Sequence, residues 1–288
     1  DFILIETMGD TYEVKAALVA ARGCTSLPVF VTMVFDERGK LLTGGSIEAA
    51  VALLEGLGAD AIGFNCGLGP VQMRELLPIL LKTASVPVIL NPNAGLPRSE
   101  NGKTVYDIGP DEFGELMKPL VECGVHIVGG CCGTTPAHLQ QLIANCKELP
   151  QSPVVPKEDT LVSSYSHAVR LGGKPVMIGE RINPTGKKRL KQALRENDMD
   201  YLLREAISEQ QHGAQILDVN VGLPEIDEPA VMEQAVQEIQ GVTDLPLQID
   251  TSDPVAMERA LRAYNGKAMI NSVNGKEESM RTVFPLAK

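Results

Sequence analysis

Two adjacent cysteines, Cys131 and Cys132, sit among glycines in the run Val128-Gly129-Gly130-Cys131-Cys132-Gly133-Thr134-Thr135-Pro136. Consecutive strand residues point to opposite faces, so two neighbours serve one site only if the backbone turns beside them, and flanking glycines permit that turn. The apolar lead-in His126-Ile127-Val128 ends a strand, and Thr135-Pro136 reads as an N-cap followed by proline at the first helical position. A third thiol, Cys66 in Phe64-Asn65-Cys66-Gly67, closes the apolar run Ala61-Ile62-Gly63-Phe64 in the same way. Three thiols at the same ends of two strands can converge on one zinc ion and leave its fourth position open, the mark of a catalytic rather than a structural site. The helix beginning near Pro136 would point its positive end at the cysteines and favour thiolates. The competing reading is three buried structural thiols. Cys24, Cys123 and Cys146 fall in or beside expected helices and read as packing residues.

The elements that would position these thiols alternate. Strands are expected at 2–6, 29–35, 61–65, 86–91 and 125–129, with helices at 12–22, 47–57, 71–82, 111–123 and 136–147. Unbroken apolar strands alternating with helices argue for a parallel sheet. Polar residues collect at the strand C-terminal ends, at Glu6-Thr7, Asn65-Cys66, Asn91-Pro92-Asn93 and Cys131-Cys132, as they do on the active face of a (β/α)8 barrel. Five βα units fill residues 1–152, so three further units are expected before Asp1; the chain opens directly on a strand without methionine and reads as a piece of a longer one. Pro150, Pro153 and Pro156, then Ser163, Ser164 and Ser166, mark a linker over 153–174. The rhythm restarts over 175–288, with strands at 176–181, 215–220, 247–250 and 268–271 and helices at 190–195, 201–212, 230–240 and 256–263. The fold expected is α/β, two TIM-type barrels in tandem, each incomplete in this chain.

Every strand of the second half also ends in polar residues: Glu180-Arg181-Ile182-Asn183, Asp218-Val219-Asn220, Asp250-Thr251-Ser252 and Asn271-Ser272-Val273-Asn274-Gly275. Carboxylates and amides at these strand ends are candidate ligand contacts. The alternative is that Asp and Asn cap the following helices, and for Asp253, just before Pro254, capping is the better reading. A net charge of -11 argues against a nucleic-acid partner. No apolar run reaches transmembrane length and no signal peptide is visible. Six cysteines in 288 residues, two of them adjacent, do not resemble a secreted disulfide framework, and a cytoplasmic location is expected.

Phe64-Asn65-Cys66-Gly67 together with Gly129-Gly130-Cys131-Cys132-Gly133-Thr134 resembles the zinc motifs of the homocysteine S-methyltransferase family. The resemblance implies that Cys66, Cys131 and Cys132 bind zinc, that the homocysteine sulfur takes the open position, and that Glu6 and Thr7 hold the amino-acid group of the substrate. Glu6 reads equally as a solvated acid at a strand end. Asn91-Pro92-Asn93-Ala94-Gly95 also resembles the family, without a definite role. In the second half, Ile178-Gly179-Glu180-Arg181-Ile182-Asn183-Pro184-Thr185-Gly186 resembles the opening of the pterin-binding barrels, and the later strand ends follow suit. That implies 5-methyltetrahydrofolate as a substrate contacted by Asp250 and Asn271, with Glu180, Asn183, Asp218 and Asn220 close by. Asn271 would stabilise the proton that the pterin N5 must gain before its methyl leaves.

The order of the two modules resembles the cobalamin-dependent methionine synthase family over nearly the whole chain. It implies methyl transfer from 5-methyltetrahydrofolate through cobalamin to zinc-activated homocysteine, with the cobalamin-binding domain of the same full-length protein as partner. The alternatives are another corrinoid-dependent methyltransferase with a different thiol acceptor or methyl donor, and a non-catalytic zinc- and folate-binding scaffold.

Overall fold

Alternating apolar strands and amphipathic helices resolve, in the computed structural model of residues 1–288, into two parallel sheets in two units, Asp1–Glu158 and Asp159–Lys288. The first unit runs β1 (Ile3–Met8), α1 (Thr11–Cys24), β2 (Val29–Met33), α2 (Ile47–Gly56), β3 (Ala61–Asn65), α3 (Pro70–Thr83) and β4 (Val88–Asn91). A hairpin of β5 (Arg98–Glu100) and β6 (Lys103–Val105) follows, then α4 (Pro110–Glu122), β7 (Ile127–Val128) and α5 (Pro136–Cys146). Its sheet is ordered β1-β2-β3-β4-β7, all parallel. Every residue of β3 is buried, as expected for a strand covered on both faces. Val31, Ile62 and Leu90 pack with Val14, Leu18, Leu53, Leu77 and Phe113 from the helices.

Local chemistry fixes the helix starts. Asp10 accepts the Tyr12 and Glu13 N–H groups, Ser46 accepts from Ala49, and proline occupies the first turn of α3, α4 and α5. Because the strands are parallel and ordered in sequence, their C-terminal ends lie along one edge; Asn65 pairs with Asn91, and Leu90 with Val128.

The second unit begins with β8 (Thr160–Ser163) and β9 (Ala168–Leu171), an antiparallel hairpin. It continues with β10 (Ile178–Ile182), α6 (Lys188–Glu196), α7 (Met199–Gln211), β11 (Ile216–Val219), α8 (Glu228–Ile239), β12 (Leu247–Asp250), α9 (Pro254–Ala263), β13 (Met269–Asn271) and α10 (Glu277–Ala287). The parallel sheet is ordered β10-β11-β12-β13, its outer face packed through Leu217, Val219, Leu247 and Ile249 against Leu202, Met232, Val236 and Ala260. Both sheets, with their helical crossovers, are arcs of the (β/α)8 architecture. No helix is long and apolar enough to cross a membrane.

Several differences from the sequence expectation have physical causes. β7 spans two residues rather than five and pairs with β4. The β5–β6 hairpin turns at Asn101-Gly102, both with positive φ (51° and 74°), a type of dipeptide that favours such turns. α10 was not expected at all. Within 153–174, read as a linker, the β8–β9 hairpin is ordered and anchored, with Ser163 and Ser164 buried. Ser163 exchanges backbone and side-chain hydrogen bonds with Lys267, and the fully buried Tyr264 hydroxyl donates to the Ser163 carbonyl (2.7 Å). The same hydroxyl accepts the Leu247 N–H (3.0 Å). Tyr264→Phe should therefore strand two buried backbone groups and destabilise this unit by about 2–4 kcal/mol, read as a lower urea midpoint at unchanged slope.

Candidate functional site

The three cysteines meet at the C-terminal edge of the first sheet. Their sulfurs all lie within 4.8 Å of one another, and Cys66 Sγ is 3.7 Å from Cys132 Sγ. Two thiolates each about 2.3 Å from a tetrahedral zinc are separated by about 3.8 Å, so the donor set and its spacing fit that ion. Cys66 reaches this position through left-handed backbone, with φ of 56° at Cys66 and 69° at Gly67. That conformation is unfavourable for a residue with a side chain, and the surrounding bonds hold it.

Those bonds come from the loop after β4. Cys66 N–H donates to the Asn91 carbonyl (3.1 Å) and Asn93 N–H to the Leu68 carbonyl (2.9 Å). On the other side Cys131 N–H donates to the Pro92 carbonyl (2.8 Å), Ala94 N–H to the Cys132 carbonyl (2.9 Å), and Cys132 N–H to Asn93 Oδ1 (3.0 Å). The Asn91–Ala94 segment is thus a splint between the two cysteine loops. Asn65, wholly buried, adds a second tie: its Oδ1 accepts the Thr7 N–H (3.0 Å), and its Nδ2 donates to Thr7 Oγ1 (2.6 Å) and faces Cys131 Sγ at 3.9 Å. Tyr106, just after the β5–β6 hairpin, lies against Gly133, near Cys132.

Burial, and then the neighbouring Cys66 thiol, push Cys131 up to about 11. A bound cation would favour the Cys131 thiolate. Burial and the nearby Cys132 thiol raise the Tyr106 hydroxyl as well. Cys24 and Cys123 are exposed at helix ends rather than packed inside; only Cys146 lies against the core. Glu6 is exposed at the end of β1, and Thr7 beside it has φ of 64°.

At the corresponding edge of the second sheet, acidic and amide side chains interlock between strands. Asp218 on β11 is 2% exposed and its Oδ1 accepts from Gln248 on β12. In return, Asn220, just past β11, donates through Nδ2 to Asp250 Oδ2 on β12 (2.9 Å). Asp218 Oδ2 is buried without a hydrogen-bond partner. Asp250 pairs in register with Asn271, whose carbonyl accepts the Thr251 N–H (2.9 Å). Asn183 contacts Glu180 (3.4 Å) and closes its own turn by accepting the Thr185 N–H (3.0 Å). Asp253 caps α9 through Val255 and Ala256. Burial raises Asp218 to about 6; Gln248 counteracts this, while Asp250 and Glu180 add to it.

Sequence reading missed Asn65 and Asn93 as supports, Tyr106, and Gln248. A polar residue inside an apolar strand was the available signal for Gln248; nothing local marks Tyr106.

A tri-cysteine cluster able to chelate a metal ion on one barrel arc and a carboxylate–amide cluster on a second mark a two-module α/β protein. Residues 1–146 match the family described as homocysteine S-methyltransferase, and residues 179–288 match the family described as pterin binding enzyme. The chain belongs to the homocysteine S-methyltransferase family. It is 35% identical over 287 residues to the methionine synthase of Mycobacterium leprae, covering 95% of this chain and 24% of that protein. The methionine synthase of Mycobacterium tuberculosis is 33% identical over 282 residues, with the same coverage. The chain therefore spans about a quarter of the length of these relatives. Among solved structures, the metallated homocysteine methyltransferase MmuM from Escherichia coli is 23% identical, covering 50% of this chain and 44% of that one, with a TM-score of 0.42.

The Asp218 carboxyl gives a test of the second cluster. Its folded value lies above the unfolded one of about 4, so its contribution to stability is full below pH 4 and is lost as pH rises through about 6. Asp218→Asn keeps the Oδ1 acceptor for Gln248 and removes the ionisation. The variant should be more stable than the parent by about 2–3 kcal/mol at pH 8 and about equal at pH 4, as measured by denaturant unfolding at the two pH values.

Proposed function

We propose that this chain supplies the acceptor and donor sites of a methyltransferase that converts homocysteine to methionine with a folate as methyl source. The observation that carries the reading is the sulfur triad, with Cys66 and Cys132 3.7 Å apart and Cys131 within 4.8 Å of both. Zinc is the metal proposed there; when bound, it lowers the pKa of a thiol at its fourth position so that the thiolate exists at neutral pH. The chain's own residues do the rest. Three cysteine sulfurs neutralise the cation and leave the site electron-rich, so the substrate sulfur keeps its nucleophilicity. Glu6 offers a carboxylate to the substrate ammonium, and Thr7 sits beside the triad through Asn65.

In the second unit the proposed ligand is 5-methyltetrahydrofolate. Asp250 and Asp218 present acceptor oxygens to the N–H groups of the pterin, and the unpartnered Asp218 Oδ2 is such an acceptor held ready. Asn271, which pairs with Asp250 in the register, is the residue proposed to hydrogen-bond the N5 proton, whose gain makes the departing nitrogen a neutral amine rather than an anion. Glu180, Asn183 and Asn220 complete the polar rim. The finer proposal is that cobalamin, carried by another module of the full-length protein, relays the methyl between donor and acceptor; none of the residues described is assigned to holding it.

A second reading keeps the thiol centre and changes the donor or the thiol acceptor. It is favoured by the triad itself, which would activate any thiol and lies wholly within the first unit.

Half-reactions separate these readings in the full-length protein. Cys66→Ser should abolish methionine formation from added methylcobalamin and homocysteine while leaving methyl transfer from 5-methyltetrahydrofolate to added cob(I)alamin intact. Asp250→Ala should do the reverse. Both half-reactions should require added cobalamin; methionine formation in its absence would favour the second reading.

A further inference from the structure

The cysteine triad and the end of β1 arise from different strands, yet one buried side chain touches both. Asn65 is the last residue of β3, directly before the left-handed Cys66, and is 0% exposed. Thr7 is itself left-handed at φ 64°, where β1 loses register with β2 between Ile5 and Met8. A threonine in that conformation costs about 1 kcal/mol or more, and Asn65 offsets the cost by bonding both its N–H (3.0 Å) and its hydroxyl (2.6 Å). The Asn65 Nδ2 that donates to this hydroxyl also faces Cys131 Sγ at 3.9 Å. The backbones of all three cysteines, in contrast, are held by the Asn91–Ala94 loop and owe nothing to the Asn65 side chain.

We infer that Asn65 is a positioning residue that couples the two halves of the homocysteine site, holding Thr7, and with it the neighbouring Glu6, at a fixed distance from the Cys131 sulfur. The inference rests on the reading of this site as a homocysteine site. One amide serves both ends: a displacement of Thr7 shifts the Nδ2 donor relative to Cys131. The amino-acid group and the sulfur of one small substrate are thereby registered against each other, while the metal ligands themselves stay in place.

The test uses zinc-loaded full-length protein and the variants Asn65→Asp, Thr7→Val, Thr7→Ser and the Asn65→Asp/Thr7→Val pair. Zinc content, melting temperature and homocysteine Kd by calorimetry are read on each. Asn65→Asp keeps the acceptor for Thr7 N–H and removes the amide donors; Thr7→Val removes only the hydroxyl. Both single variants should retain one zinc per chain and weaken homocysteine binding about tenfold. The pair should bind no worse than the weaker single variant, because both changes cut one link, and Thr7→Ser, which keeps the hydroxyl, should bind more tightly than Thr7→Val. An unchanged Kd in Asn65→Asp, loss of its zinc, or effects that multiply in the pair would overturn the inference alone. Failure of the zinc-loaded parent to bind homocysteine would instead remove the reading of the site on which it rests.

Discussion

The hydrogen bonds that the Asn91–Ala94 segment makes to both cysteine loops are the constraint on which the first module depends. Parallel pairing brings β3, β4 and β7 side by side, but pairing alone leaves Cys66 and the Cys131-Cys132 pair on loops free to diverge. Backbone bonds from Asn91 and Pro92, and the side-chain bond from Asn93, close that gap. They hold a left-handed Cys66 and three sulfurs within 4.8 Å. Burial and the neighbouring Cys66 thiol raise Cys131, and the spacing of the sulfurs suits a bound cation.

The second module meets the same electrostatic problem with different means. Asp218, Asp250 and Glu180 share one sheet edge, and amides rather than cations hold them. Gln248 reaches from β12 to Asp218, and Asn220 reaches from the end of β11 to Asp250. Each amide donates to one oxygen of its carboxylate. A neutral donor fixes a carboxylate without cancelling its charge.

The strand and helix alternation was legible because buried parallel strands are continuous apolar runs and because Thr135-Pro136 and Asp253-Pro254 mark helix starts. The triad was legible because cysteine at two strand ends is chemically conspicuous. The supports were less so. Asn65 and Asn93 lie inside the quoted motifs, but their partners, Thr7 and Cys132, are remote in sequence and follow only from the register of the sheet. Ser163 looked like a linker serine because its burial depends on Tyr264 and Lys267, about a hundred residues away. α10 carries Pro285 and follows a polar loop.

The central claim is that three cysteines of the first module hold a zinc ion whose fourth position receives the homocysteine sulfur. Zinc X-ray absorption on the full-length protein, with and without homocysteine, tests it most directly. The account predicts a shell of three sulfurs that becomes four when homocysteine is added. Protein that retains no zinc, or a shell unchanged by homocysteine, would contradict it.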